Sequence, residues 1–395
     1  VWSALHFREV DRVPFDLFDT AGYLFREGLY DPAQRLTLSL QEQVAARLRS
    51  HQEFDADLMV DTPVLAQGSV PYTIHLTPPF AQRYELLFAA FPIVSNTWHP
   101  WPPTLRPKPG VDLEDDDAIE LVATWANGPT CHLTLETAAG TLGGYEKLME
   151  HREEWPLWQA ILEPRFEAFD YQYVRQVVHA TGGDIGLYGT ICGPYSMFAT
   201  VFGLEQSTYL LHDEPGFARS VMMWLTDVTI EVGRDMIRHG VDILRVGEAT
   251  ASLLSPTLYR RHVQEHHRRM NQALVAAGGS PVLHICGRSN SLLEAVADAG
   301  TPGLETLTPP PLGNVDLADA KRRIGNRVCL KGNLDPVHVV GALTPGEVAA
   351  ATQRCLEAGS VGGGFVLSVA DDMVRGTPLA NLQAIAEVVH GYHTG

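Results

Sequence analysis

The chain has 395 residues, 45% of them hydrophobic, with 29 lysines and arginines against 47 aspartates and glutamates, a formal charge of −18. That composition suffices for a large core, and the acidic surplus excludes a nucleic-acid binder, whose phosphate contacts need basic patches. Five cysteines are too few and too scattered for a disulfide framework, and with a charged start and no stretch near the ~18 apolar residues of a spanning helix, a cytoplasmic protein with no membrane contact is expected.

Short β-rich runs that lead into helical patterns recur at residues 13–18, 55–60, 184–191, 242–247, 281–287, 303–308, 327–332 and 364–370. Eight such runs predict an α/β fold, a single TIM-type (β/α)8 barrel spanning residues 1–395. The alternation breaks between residues 66 and 150, which are rich in Pro, Thr, Trp and Val. This stretch predicts a β-rich, largely antiparallel insertion after the second strand, with Trp98-His99-Pro100-Trp101 as a loop that packs or covers. Further on, Ser255-Pro256 sets an N-cap and a first-turn proline ahead of a helix over 257–277. Thr344-Pro345-Gly346-Glu347 is a capping box, and a polar turn over 368–378 precedes a last helix over 379–390.

The sharpest chemical signal is His284-Ile285-Cys286-Gly287, at the end of an apolar run. On a strand, residues two apart share a face, so His284 and Cys286 point into the barrel at the end where barrel enzymes keep their chemistry. An imidazole and a thiolate on one face are a pair of zinc ligands; an isolated His-x-Cys is more often a core histidine beside a small buried thiol. Arg245 stands inside the strand over 242–247, where a lone buried charge is costly. It binds a substrate carboxylate or, the preferred reading, pairs with Glu248. Asp19 faces the pocket or caps the helix after the first strand; Tyr188 and Tyr195 are placed to line the pocket, with core packing the simpler account for Tyr188. Asn333 and Asp335 read as turn and capping residues. His262, His266 and His267 share a helix with Arg260, Arg261, Arg268 and Arg269, which reads as a basic, solvated face and a candidate docking patch.

These blocks together resemble the uroporphyrinogen decarboxylase superfamily, and within it the cobalamin-dependent methyltransferases that act on methyl-corrinoid proteins. The resemblance is carried by Gly193-Pro194-Tyr195, Gly247-Glu248-Ala249-Thr250-Ala251-Ser252, His284-Ile285-Cys286-Gly287, Leu330-Lys331-Gly332-Asn333-Leu334-Asp335-Pro336 and Gly363-Gly364-Phe365-Val366-Leu367-Ser368. It implies a TIM-type barrel and a catalytic Zn²⁺ held by His284, Cys286 and a residue after the last strand. Where that branch carries a second cysteine, this chain reads Ala370-Asp371-Asp372. Asp371 or Asp372, with Glu248, is therefore the implied replacement, since carboxylates also bind zinc. Glu248, Asp19, Arg245 and Tyr195 are the implied catalytic set.

The resemblance further implies methyl transfer between a small substrate and a corrinoid carried by a separate protein, because no Asp-x-His-x-x-Gly corrinoid signature occurs in the chain. A homodimer is one assembly it allows. The alternative is a metal-free lyase or decarboxylase that works on a carboxylated substrate through Asp19 and Arg245.

Overall fold

The computed structural model describes residues 169–393 except 183, 184, 372 and 375. Ahead of them it describes residues 2–8 and 12–16, parts of 41–60, and strands and single residues between 64 and 166. The central element is an eight-stranded sheet in which every neighbouring pair is parallel. It is built from β1 (Phe15–Asp16), β2 (Leu58–Val60), β10 (Gly186–Cys192), β11 (Ile243–Gly247), β12 (Ser280–His284), β13 (Gly303–Thr306), β14 (Cys329–Leu334) and β15 (Phe365–Val369), in the order β1-β15-β14-β13-β12-β11-β10-β2. All eight runs expected from the sequence supply a strand of this sheet. The two ends of that order meet: the Asp57 amide donates to the Phe15 carbonyl at 2.9 Å, and the Phe15 amide donates to the Asp57 carboxylate at 2.9 Å.

Between β2 and β10 in sequence stands a separate five-stranded sheet of β4 (His75–Leu76), β5 (Thr104–Pro107), β6 (Ala118–Thr124), β7 (Thr130–Glu136) and β8 (Thr141–Gly143). Its pairings are antiparallel except β4 with β5. A short antiparallel pair joins β3 (Val64–Leu65) to β9 (Phe169–Asp170). The Trp98–Trp101 loop, Asp19 and Asp372 lie outside the described residues.

Strand alternation sorts the central sheet into two environments. Outward positions such as Leu187, Leu244, Val246, Leu283, Leu304, Leu330 and Leu367 enter one core with the surrounding helices. Inward positions form layers, as a curled parallel sheet requires. The lowest layer is apolar, made of Tyr188, Ile243, Val282, Cys329 and Val366, and is sealed from below by Ala4 and Leu5 of the helix Trp2–Leu5. Polar chemistry begins one layer higher, toward the C-terminal ends of the strands.

The start signals read from sequence operate as capping geometry. Ser255 accepts the Leu258 amide at 3.3 Å, and Thr344 and Glu347 form a reciprocal capping box. The helix expected over 257–277 is two helices, Pro256–His262 and Gln264–Ala276, broken at Val263. The break corrects the reading of its histidines as a solvated face: His266 and His267 are buried. Three of the four arginines of the expected docking patch are engaged by acids, Arg260 with Asp298 at 2.9 Å, Arg268 with Glu265 and Arg269 with Asp227. No helix among the described residues is long and apolar enough to cross a membrane.

Burial pushes the His266 pKa down to about 4, while its Nδ1 lies 3.0 Å from the Thr226 hydroxyl. An unfolded imidazole protonates near pH 6.5, so between those values protons favour the unfolded chain. The stability His266 allows is therefore complete above about pH 6.5 and is lost as pH falls toward about 4, amounting to about 3 kcal/mol. Thermal melts at about pH 7 and about pH 4.5 should show a smaller loss for His266→Gln than for the wild type; an equal loss would refute the assignment.

Candidate metal centre

Five inward side chains from five strands make the layer above the apolar floor: Asp16 of β1, Arg245 of β11, His284 of β12, Glu305 of β13 and Lys331 of β14. Glu305 is its hub and is fully buried. Its Oε1 accepts from Arg245 Nε at 2.8 Å and from His284 Nδ1 at 2.8 Å. Its Oε2 accepts from Lys331 Nζ at 2.9 Å and from the Tyr188 hydroxyl. Lys331 reaches past Glu305 to Asp16 at 2.7 Å. Two carboxylates thus face two cations, and the layer is balanced within itself.

That balance shows in the titration of its members. Burial alone would raise the Glu305 pKa, but Lys331 and Arg245 outweigh it and hold the carboxyl well below its ordinary range. Burial works against the Lys331 ammonium as well, and Asp16 and Glu305 overcome it and raise its pKa. For Tyr188, burial and the Glu305 charge act together and push the phenol well above its usual value.

The layer also assigns a tautomer. Arg245 Nη2 lies 3.0 Å from His284 Nδ1, but a guanidinium only donates, and the carboxylate is the stronger acceptor for an imidazole proton. Nδ1–H therefore points to Glu305, which leaves Nε2 with the lone pair. A carboxylate behind the far nitrogen of a histidine is the usual arrangement behind a metal-bound imidazole.

Two residues past the end of β12, Cys286 joins His284 at the mouth, and Asp371, two residues past β15, completes a group. One ligand atom from each of the three lies within 4.8 Å of the others. A nitrogen, a sulfur and a carboxylate oxygen at that spacing are a donor set that suits zinc. Burial, followed by the Asp371 charge and hydrogen bond, pushes the Cys286 thiol up to about 12. A thiol held protonated is thus packed beside a carboxylate, and a divalent ion placed between them would favour its thiolate.

Other residues singled out in the sequence lie elsewhere. Glu248 turns away from this group: its carboxylate accepts the Tyr195 and Ser196 amides at 3.0 and 2.9 Å and meets His267 Nε2 at 2.9 Å. It closes the N-terminus of the helix Pro194–Phe202 and is fully buried, so a ligand role for Glu248 and its pairing with Arg245 are corrected. Backbone direction is the reason, since after Gly247 the chain bends into the turn Ala249–Leu253 and carries the side chain toward the helix. Tyr195 is corrected likewise. It is buried, with its ring packed against Phe198 in the helix Pro194–Phe202. Asp335 caps the turn Pro336–Val340 through the Val337 and His338 amides, both at 2.8 Å.

Glu305, Lys331 and Asp16 carry no expectation from the sequence, and Tyr188, expected in the core or lining the pocket, lies in the floor with its hydroxyl on Glu305. The available signal was the one noticed at Arg245: an ionisable residue inside an apolar strand, as in Gly303-Leu304-Glu305-Thr306 and Cys329-Leu330-Lys331-Gly332.

The model of the family described as Uroporphyrinogen decarboxylase (URO-D) matches residues 160–392. The uroporphyrinogen decarboxylase of Coxiella burnetii (strain Dugway 5J108-111) is 26% identical over 239 residues, which cover 57% of this chain and 64% of that protein. The methylcobamide:CoM methyltransferase MtbA of Methanosarcina mazei is 28% identical over 213 residues, covering 53% of this chain and 60% of that protein. The chain thus spans less than two thirds of the length of these relatives. Among solved structures, a methyltransferase from Methanosarcina mazei superposes with a TM-score of 0.67 at 15% identity, over 98% of this chain and 96% of that one, a likeness of fold.

Proposed function

Because the chain belongs to the uroporphyrinogen decarboxylase family, whose model matches more than half of it, we propose that it is a zinc-dependent methyltransferase of that family. In this reading it moves a methyl group between a small substrate and a corrinoid on a separate protein, as the name of the relative MtbA describes for methylcobamide and CoM. The observation that carries the reading is the convergence of His284, Cys286 and Asp371 within 4.8 Å. The fold reading that goes with it is one domain, a closed eight-stranded barrel with residues 66–150 as an insertion after the second strand; the Asp57–Phe15 hydrogen bonds support closure.

His284 through Nε2, Cys286 through its thiolate and Asp371 through a carboxylate oxygen would hold the ion. Zinc bound there supplies Lewis acidity, which lowers the pKa of a coordinated thiol or makes a methoxy oxygen a better leaving group. Glu305 accepts the hydrogen bond from His284 Nδ1–H and fixes the imidazole plane. Arg245 and Lys331 keep Glu305 ionised, so that it stays an acceptor. The floor beneath, from Tyr188 to Val366, keeps water out from below.

The metal-free decarboxylase reading is the weaker one. It asks Arg245 to grip a substrate carboxylate, and Glu305 already occupies that guanidinium at 2.8 Å.

Purified protein should carry one equivalent of zinc, and Cys286→Ala should carry none. Methyl transfer from methylcobalamin to a thiol should stop on chelation and return with zinc. Undiminished transfer by metal-free protein would end this proposal.

A further inference from the structure

The inward positions of β11 are Ile243, Arg245 and Gly247. Ile243 belongs to the apolar floor and Arg245 reaches Glu305; Gly247 stands above them at the rim. Register sets it between Cys192 of β10 and His284 of β12. Among the described residues, a Cβ at Gly247 would meet nothing closer than the Ile191 carbonyl oxygen, at 3.7 Å. The inward glycine of β13 is different: at Gly303 the same space is filled by Val282 at 2.8 Å and Leu5 at 3.1 Å. Nor does the backbone call for glycine at 247, which is not among the glycines of positive φ.

A glycine inside a strand gives up stability and commonly marks the close approach of a ligand. Here neither conformation nor packing among the described residues demands it, so among them it leaves a recess beside the proposed metal ligand His284. Thr190, Cys192, Gly247 and Cys286, which flank the recess, are all partly exposed, whereas the floor below is buried.

We infer that this recess seats the body of the substrate next to its methyl-bearing atom, and that the bare α-carbon of Gly247 sets the size limit. The chemical class that fits is a thiol, thioether or methyl ether whose sulfur or oxygen carries a planar or branched group. The inference rests on the metal-site reading above.

Cobalt(II)-loaded protein tests it, with azide as a small metal-binding probe and benzenethiol as a bulky one, each titrated by visible absorption. Wild type, Gly247→Ala and Gly247→Val should each bind one equivalent of cobalt and should bind azide with equal affinity. Benzenethiol should weaken by about tenfold or more in Gly247→Val and by less in Gly247→Ala. Equal benzenethiol affinity in wild type and Gly247→Val overturns the inference while leaving the metal site standing. A Gly247→Val protein that fails to fold leaves the graded loss in Gly247→Ala as the deciding measurement, and no loss there overturns it too. Wild type that takes up no cobalt overturns the metal reading itself, and the recess with it.

Discussion

Glu305→Ala should lose about 3–5 kcal/mol of folding stability, the usual consequence of stripping one partner from a buried ion pair, and should bind zinc about 10–100-fold more weakly. Its carboxylate takes four donors, from Arg245, His284, Lys331 and Tyr188. Without it, Lys331 keeps only Asp16 of its two carboxylate partners, and the Arg245 guanidinium, whose side chain is 18% exposed, cannot rely on water instead. His284 loses the acceptor that fixes its tautomer and ring orientation toward a metal with the same substitution.

Glu305→Gln separates the two effects. The amide oxygen still accepts from His284 or Tyr188 and fills the volume, so stability should recover in part, while zinc affinity stays depressed because the charge behind the imidazole is gone. Urea denaturation with a competitive zinc titration reads both quantities. Zinc affinity unchanged in both variants would show that Glu305 serves the fold alone.

Glu248→Ala should also cost about 3–5 kcal/mol, for a different reason and with a different signature. Three donors converge on that carboxylate, the Tyr195 and Ser196 amides and His267 Nε2, and His267 Nδ1 is held at 2.7 Å by the Tyr259 hydroxyl. Glu248, His267 and Tyr259 are all fully buried, so no water replaces the lost acceptor. Each orphaned donor costs about 1–3 kcal/mol, and the helix Pro194–Phe202 loses the anion at its positive end. Gly193 is part of the same device, since a Cβ there would sit 2.2 Å from a Glu248 carboxylate oxygen. The midpoint of urea unfolding should drop sharply, yet folded Glu248→Ala should bind zinc as the wild type does. Zinc lost from a folded variant would restore Glu248 to the ligand set.

Much of the frame was legible beforehand. Each of the eight runs read as strands became one because buried parallel strands bracketed by helices leave a strong local pattern. The pair His284 and Cys286 was legible as a motif at a strand end, although the strand stops at His284 and the chain beyond it places Cys286. The cap at Ser255 and the box at Thr344 are equally local.

The failures share a cause. Glu248 and Tyr195 sit at strand and helix ends, where one turn of backbone decides which way a side chain faces. His266 and His267 looked solvated because their neighbours in sequence are arginines; the break at Val263 carried them inward. Glu305, Lys331 and Asp16 are charges inside apolar strands, and their partners are on other strands, 315 residues away along the chain in the case of Asp16 and Lys331.

By itself, then, the sequence determined the alternation of strand and helix, the family, and the His-x-Cys pair, because each is written in residues close together along the chain. Only the tertiary structure decided that Asp371 stands with that pair, that Glu248 does not, and that Arg245 answers to Glu305. Those outcomes depend on which side chains the curled sheet brings face to face, and on the rule that a buried charge must find its partner wherever the fold has placed one.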